Sequence, residues 1–191
     1  NPVALVGNDI RTRVNNYFMQ GNFFLKVNII DGLNWEGKIG ANYDASDNND
    51  FRPVIPLYLW SDSTFAGNLN DGSSGPGLSV GNSKEIYLTA YNQLTYNKQL
   101  GNSNISALAG YQQEHDQTSS LSGNRAGAFT TNLLRELDAG PTTNETNSGT
   151  SADWAIRSYY GNVHYNYKDK YLIGGSVRYD GTSRLPADTR W

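Results

Sequence analysis

The sequence predicts an all-β protein, namely an antiparallel transmembrane β-barrel segment of about six strands arranged as three hairpins. Three observations favour this fold class: a period-two alternation of polarity, aromatic residues at the ends of the alternating segments, and the lack of a long apolar run. Alternation with one apolar and one polar face is typical of half-buried antiparallel strands. No apolar run approaches the roughly 20 residues of a membrane-spanning helix, so a membrane would be crossed by strands.

Composition agrees with strands and long polar connections. Charged residues make up 17% of the 191 residues, whereas glycine (20) and tyrosine (13) are abundant. The net charge of −3 gives no electrostatic basis for binding nucleic acid, and the absence of cysteine excludes disulfides and thiolate metal sites. A mean hydropathy of −0.60 is compatible with a membrane barrel, because barrel strands are only half apolar and polar loops lower the average.

The clearest alternation lies in the last third of the chain, where it predicts strands over about 155–167 and 171–180 around the turn Lys168-Asp169-Lys170. The polar face of this hairpin carries His, Arg and Asp, so we expect it to be wet rather than packed. An apolar face outward and a polar face inward is the arrangement of a membrane barrel. The apolar face comprises Tyr159, Gly161, Val163, Tyr165, Tyr167, Tyr171, Ile173, Gly175, Val177 and Tyr179.

Two further hairpins are predicted upstream. The first joins strands over about 14–29 and 34–43 through Asp31-Gly32, a strong hairpin signal, and the second joins strands over about 85–97 and 104–112. The intervening segments, about 44–84 and 113–153, are rich in Asn, Asp, Ser, Thr and Gly, and we interpret them as extracellular loops. Short turns at one end and long loops at the other are typical of outer-membrane barrels. A short helix is also predicted over 131–138.

The spacing of aromatic residues supports a bilayer. Trp35 and Tyr43, Tyr159 and Tyr167, and Tyr171 and Tyr179 are each eight residues apart. Eight steps of ~3.4 Å with a tilt of about 40° give roughly 21 Å of height, close to the apolar band of roughly 25 Å between the aromatic girdles of such barrels.

Candidate catalytic and metal sites are weak. Asp44, Asp47 and Asp50 lack the spacing of a calcium-binding EF-hand loop, so a solvated acidic segment is favoured. No nucleophile elbow, phosphate-binding loop or zinc motif occurs, and we predict no catalytic, cofactor or metal site and no enzyme. Arg178 and Asp180 share the polar face, and we interpret them as a pair in the barrel lumen that anchors the following loop.

The segment SYYGNVHYNYKDKYLIGGSVRYDGTSRLPADTRW resembles the hallmark hairpin of the SusC/RagA family of TonB-dependent transporters of Bacteroidetes. That family shows S-Y-F-G-R-[VL]-N-Y-[NS]-Y-K-D-[KR]-Y-L, then R-x-D-G-S-S-R-F and a following R-W. Asn162, His164, Thr182 and Leu185 depart from the pattern but leave the strand alternation intact. The matching residues are Ser158, Tyr159, Gly161, Val163, Tyr165, Asn166, Tyr167, Lys168, Asp169, Lys170, Tyr171, Leu172, Arg178, Asp180, Gly181, Ser183, Arg184, Arg190 and Trp191.

The resemblance implies a plugged, 22-stranded barrel that imports a large nutrient, an oligosaccharide or an oligopeptide, across the bacterial outer membrane. It also implies a SusD-like lipoprotein lid, membrane lipid around the wall, and a TonB complex contacted by parts of the parent chain that are absent here. Six strands cannot close a bacterial barrel, so residues 1–191 are expected to be a mid-barrel fragment. Tyr58 and Trp60, in the first loop, are candidates for contact with the substrate or the lid, or for packing against the loop itself.

Two alternatives stay open at the level of the sequence. A small self-contained outer-membrane barrel would need at least eight strands. A soluble carbohydrate-binding β-sandwich would need one tightly packed apolar face, with aromatic side chains exposed on the other.

Overall fold

The computed structural model describes residues 12–69, 75–131 and 133–191. Within these residues the chain forms eight β-strands and one short 3-10 turn, Leu137–Ala139. The described residues contain no helix that is long and apolar enough to cross a membrane. The strands are β1 (Thr12–Ile30), β2 (Leu33–Arg52), β3 (Ile55–Tyr58), β4 (Phe65–Leu69), β5 (Gly77–Leu100), β6 (Ser103–Ala126), β7 (Glu145–Tyr167) and β8 (Tyr171–Thr182).

Six strands form one sheet in the order β1-β2-β5-β6-β7-β8, and β3 and β4 form a separate antiparallel hairpin. The prediction of an all-β fold with an antiparallel sheet of about six strands is therefore confirmed. In the described part of the chain β1 and β8 each pair on one side only, so the sheet is open at both edges.

The sheet strands are longer than the sequence pattern indicates. β2 runs to Arg52, β5 begins at Gly77, β6 runs to Ala126 and β7 begins at Glu145, so the predicted loops 44–84 and 113–153 shrink to about 53–76 and 127–144. The added strand segments are mostly polar, and their few apolar residues, such as Phe51 and Leu78, give no sustained alternation for a pattern to detect. Their main-chain hydrogen bonds do not depend on side-chain polarity, so the ladder continues. The helix predicted over 131–138 is not formed by its described residues, and the 3-10 turn lies at the end of this range.

The chain divides into two compact units. The first comprises 1–17, 44–84 and 119–151. Of these, the structure describes residues 12–17, 44–69, 75–84, 119–131 and 133–151. Its core contains the almost fully buried side chains of Phe51, Ile55 and Leu78. The ring of Phe129 packs edge-on against Phe51 at 5.3 Å, and the Arg135 guanidinium lies over Phe51 at 5.3 Å. Aromatic and cation–π contacts thus hold the β6–β7 connection against the end of β2.

The second unit comprises Phe18–Tyr43, Glu85–Thr118 and Ala152–Trp191, and it contains the three tight turns of the sheet. Gly32 (φ 83°) follows Asp31 in the β1–β2 turn, as the Asp-Gly signal predicts. The β7–β8 turn has positive φ at both Lys168 (55°) and Asp169 (52°), and the Lys170 amide donates to the Tyr167 carbonyl at 3.1 Å. Positive φ at both central residues is the geometry of a type I′ hairpin turn.

Candidate membrane-facing wall and polar face

The register of β7 and β8 places the predicted apolar residues directly opposite one another. Tyr159 pairs with Tyr179, and Tyr167 pairs with Tyr171 at the turn. Between these tyrosine pairs, the same face carries Gly161 opposite Val177, Val163 opposite Gly175, and Tyr165 opposite Ile173. The hairpin therefore presents an apolar stretch with a tyrosine pair at each end.

The apolar face of the second unit is exposed across the sheet. Val177, for example, is 71% exposed. A soluble monomer rarely exposes a large contiguous apolar patch. This face is therefore suited to contact with lipid or with another apolar surface. A soluble β-sandwich, the alternative that the sequence left open, would cover this face with a second sheet. In this structure the face is exposed instead. Other exposed apolar side chains of this unit are Met19, Phe23, Leu25, Ile39, Leu88, Leu94, Val163 and Ile173.

One tyrosine pair belongs to a longer row of aromatic rings. Tyr111 on β6 lies 5.2 Å from Tyr159, and Trp191 lies 6.0 Å from Tyr159 and 5.4 Å from Tyr179. The row therefore continues from β6 across β7 to β8. Amphipathic rings in such rows are typical of the interface between lipid tails and water in membrane barrels.

The opposite face of the sheet carries hydrogen bonds between polar side chains of neighbouring strands. The Tyr91 hydroxyl on β5 donates to a Glu36 carboxylate oxygen on β2 at 2.5 Å. The Tyr160 hydroxyl on β7 donates to the side-chain oxygen of Gln93 on β5 at 3.4 Å, reaching across β6. It reaches across because Gly110 on β6 leaves room: an added Cβ at Gly110 would lie 2.3–2.6 Å from three atoms of the Tyr160 phenol.

Arg178 and Asp180, predicted to share the polar face, form an ion pair along β8. Arg178 Nε donates to the two Asp180 carboxylate oxygens at 2.8 and 3.0 Å, and Arg178 Nη2 donates to the Ser158 hydroxyl on β7 at 2.9 Å. Ser158 is only 1% exposed. Through Ser158 the pair thus fastens β8 to β7, while its anchoring of the following loop and its place in a lumen stay predictions.

A second polar group surrounds Glu114 on β6. Its two carboxylate oxygens accept hydrogen bonds from Gln112 at 2.7 Å and from the Tyr87 hydroxyl at 2.8 Å. The Tyr87 ring lies 6.2 Å from Trp154, over which the Arg184 guanidinium sits at 4.2 Å. Strands β5, β6 and β7 and the segment after β8 are therefore linked on this face.

The other candidate residues, Tyr58 and Trp60, lie on the β3–β4 hairpin of the first unit. Tyr58 packs edge-on against Phe65 at 6.0 Å, whereas Trp60 is 97% exposed. In the connecting loop, the Thr64 hydroxyl and amide donate to the Asp62 carboxylate at 2.8 and 3.1 Å, and these hydrogen bonds lower the pKa of Asp62. The hairpin loop is thus ordered by its own polar side chains and presents an indole outward.

The acidic segment weighed as a calcium site lies on strand β2. Asp47 accepts a hydrogen bond from Asn82 at 2.5 Å, and Asp50 accepts one from Thr12 at 2.8 Å and lies 3.5 Å from Arg52. These carboxylates are spread along an extended strand and are bonded to neighbouring strands. Within residues 12–69, 75–131 and 133–191, no group of three acidic or histidine side chains converges on a point where a metal ion would bind.

Two parts of these surfaces are not evident from the alternation of polarity. Trp191 lies beyond the last strand and joins the aromatic row only because residues 183–191 fold back; the Arg-Trp ending of the family pattern was the one available signal. The contact between Tyr160 and Gly110 joins strands about 50 residues apart in sequence, and no local pattern reports it.

An exposed apolar face bounded by tyrosines and a hydrogen-bonded polar face define this sheet as the wall of an outer-membrane type of β-barrel. Comparison with known proteins agrees. No family model matches the chain. Over its whole length the chain is 28% identical to TonB-dependent receptor P3 and 26% identical to TonB-dependent receptor P39, both of Formosa agariphila, and it spans only 18% and 17% of those proteins.

Solved structures show the same fold. The chain is similar to a chain of the RagAB peptide transporter, with a TM-score of 0.75 and 18% identity over 93% of this chain and 18% of that one. The "closed-closed" and "open-open" states of the RagAB peptide importer give TM-scores of 0.75 and 0.72, at 17% and 18% identity. The resemblance to SusC/RagA-type TonB-dependent proteins predicted from the sequence is thereby confirmed.

Proposed function

We propose that this chain is part of the barrel wall of a TonB-dependent transporter in the bacterial outer membrane, which imports a large nutrient. One observation carries the proposal: the Tyr159–Tyr179 and Tyr167–Tyr171 pairs enclose an apolar face, while the opposite face of the same strands is hydrogen-bonded and polar. The similarity to TonB-dependent receptors over the whole chain supports it. In this assignment the apolar face meets lipid and the polar face lines the lumen.

The imported nutrient is an oligosaccharide or an oligopeptide. The peptide transport named for RagAB supports the second, while the exposed Trp60 indole supports either, since an aromatic face stacks on sugar rings and packs on peptide side chains. In this proposal a SusD-like lipoprotein closes the extracellular mouth, and Tyr58 and Trp60 contact the lipoprotein or the substrate. Energy comes from a TonB complex, which is contacted by other parts of the parent chain.

The proposal has no catalytic role for any residue of the chain. Transport requires the wall to hold its shape while cargo passes, and the polar links from Glu36 to Tyr91 and from Ser158 to Arg178 serve that purpose. The open edges of β1 and β8 are then completed by neighbouring strands of the parent protein, because unpaired main-chain groups are too costly in lipid.

The first test is to locate and weigh the intact parent polypeptide. We expect it in the outer-membrane fraction, soluble only with detergent, and with a mass several times 21.1 kDa. Disruption of its gene is then expected to abolish growth on one oligosaccharide or oligopeptide as sole nutrient while growth on the monomer continues. A polypeptide of 21.1 kDa, or one released from membranes without detergent, would overturn the proposal.

A further inference from the structure

A shallow groove of about 580 Å³ lies on the apolar face of the second unit. Its lining combines small residues, among them Ala107, Ala109, Gly161 and Gly175, with the larger Leu94 and Val177. An added Cβ at Gly175 would meet no heavy atom within 4 Å, so the groove is open at this point. The recess follows from the small side chains of three adjacent strands, β6, β7 and β8.

The turn that joins β7 to β8 carries two cationic side chains. Lys168 Nζ lies 5.3 Å from the centre of the Tyr167 ring, and Lys170 Nζ lies 5.6 Å from that of Tyr171. The intervening Asp169 carboxylate instead accepts a hydrogen bond from Asn166 at 2.7 Å. Among the described residues neither ammonium group takes part in an ion pair, so both are available to an external anion.

The groove and the cations lie on one hairpin at a defined spacing. The Val163–Gly175 pair is four residues from the Tyr167–Tyr171 pair along each strand. Four steps of ~3.4 Å with a tilt of about 40° correspond to roughly 10 Å of depth. A lipid acyl chain reaches about 15 Å from the headgroup level to the middle of a bilayer, so one molecule extends from the turn into the groove.

We propose that this surface binds a phospholipid of the leaflet that meets the short turns, with its phosphate at Lys168 and Lys170 and an acyl chain in the groove. The phosphate is an anion and so complements the charge of the two lysines. The acyl chain is apolar and so fits the groove, which is continuous with the apolar face. This inference rests on the membrane location in the proposed function. A second protein copy seated on the groove would leave the two ammonium groups without an anion.

The test measures phospholipid retained by the intact receptor, extracted in mild detergent and titrated with phosphatidylglycerol in native mass spectrometry. The cation variant is Lys168→Asn with Lys170→Gln, because asparagine tolerates the positive φ at position 168. Its matched control, Lys26→Gln with Lys38→Gln, removes the same charge from strands β1 and β2. We expect about 10- to 30-fold weaker binding for the cation variant, at roughly fivefold per lysine, and no change for the control.

A second pair of variants tests the groove. Gly175→Leu fills it, whereas Gly21→Leu adds the same bulk on β1, where an added Cβ also meets no atom within 4 Å. We expect several-fold weaker phosphatidylglycerol binding for Gly175→Leu alone, and little competition by inorganic phosphate. Folding of every variant is checked by its gel mobility before and after heating.

Equal lipid retention by each variant and its control, with the receptor still in the outer membrane, would overturn the lipid site and leave the proposed function intact. If the unaltered protein is a dimer and Gly175→Leu makes it a monomer, the groove is assigned to a second copy, which would also overturn the lipid site. An unaltered chain recovered outside the outer membrane would instead overturn the proposed function.

Discussion

Gly181 lies directly against Trp191: an added Cβ at Gly181 would be 2.7–2.8 Å from three atoms of the indole. Trp191 in turn stacks on Tyr179 with an angle of 20° between the rings. The Thr182 amide donates to the Arg190 carbonyl at 3.0 Å, which holds the end of the chain back against β8. The glycine and the tryptophan of the family pattern therefore form one packing unit, in which the glycine makes room for the ring.

Substitution Gly181→Val is expected to displace Trp191, because the new side chain would overlap the indole. Overpacking of this kind costs typically about 1–3 kcal/mol of the free energy of unfolding. The measurement is the thermal unfolding of the parent protein in detergent together with its tryptophan emission, which should shift to the red. In a Trp191→Ala background the same glycine substitution should cost much less, and equal costs in both backgrounds would contradict the packing described here.

Substitution Gly110→Ala is expected to move Tyr160 and break its hydrogen bond to Gln93. The free energy of unfolding is expected to fall by about 1–3 kcal/mol, because a Cβ at Gly110 overlaps the phenol ring of Tyr160. Chemical unfolding of the purified parent protein measures this loss of unfolding free energy. Gly161→Ala, on the neighbouring strand, is the control, because a Cβ there meets only the Leu108 carbonyl oxygen at 3.2 Å and should cost less.

Two tyrosines that bind carboxylates should differ in their contributions to stability. In the described part of the chain, Tyr91 is the one side-chain donor to Glu36, whereas Glu114 keeps Gln112 when Tyr87 is lost. We expect Tyr91→Phe to cost about 1.5 kcal/mol and Tyr87→Phe about half of that, because a carboxylate left without a donor is the more costly outcome. The reverse order in equilibrium unfolding would show that the polar face is organised differently.

The two aromatic residues of the β3–β4 hairpin should separate stability from recognition. Trp60→Ala removes a side chain that is 97% exposed, so we expect no measurable change in unfolding, within about 0.5 kcal/mol. Tyr58→Ala removes an edge-on contact with Phe65 and should make the hairpin more sensitive to proteases. If Trp60 contacts the lid or the substrate, Trp60→Ala should still slow nutrient uptake. Unchanged uptake would assign its indole no role in transport.

The β7–β8 hairpin could be predicted from sequence because its alternation, its turn and its tyrosine spacing agree. Arg178 and Asp180 could be placed on one face for the same reason, since residues two apart on a strand point the same way. Strand length could not be predicted. From Asp44 to Asp50 nearly every side chain is polar, so the alternation that marks a strand elsewhere is lacking while the main chain continues to pair.

The side-chain contacts of the polar face and the position of Trp191 against Gly181 also could not be predicted from the sequence, for a different reason. Tyr160 meets Gly110, and Trp191 meets Gly181, through shape: each glycine matters only for the ring that fills the space above it. Such pairs become visible when strand register and the path of the following segment are known. Alternation identifies the face on which a residue lies, but not the partner that it meets there.

The length of the strands has a consequence for how this wall can change over generations. β5 and β6 each contain 24 residues, more than twice the roughly 9–11 that cross a bilayer. The surplus residues are held by main-chain pairing, which is indifferent to the identity of most side chains. Mutations there can alter the side chains at this end of the strands without disturbing the main-chain pairing. In the proposed transporter, a lineage can therefore change the side chains of the surplus segments while the apolar face of the same strands keeps its sequence.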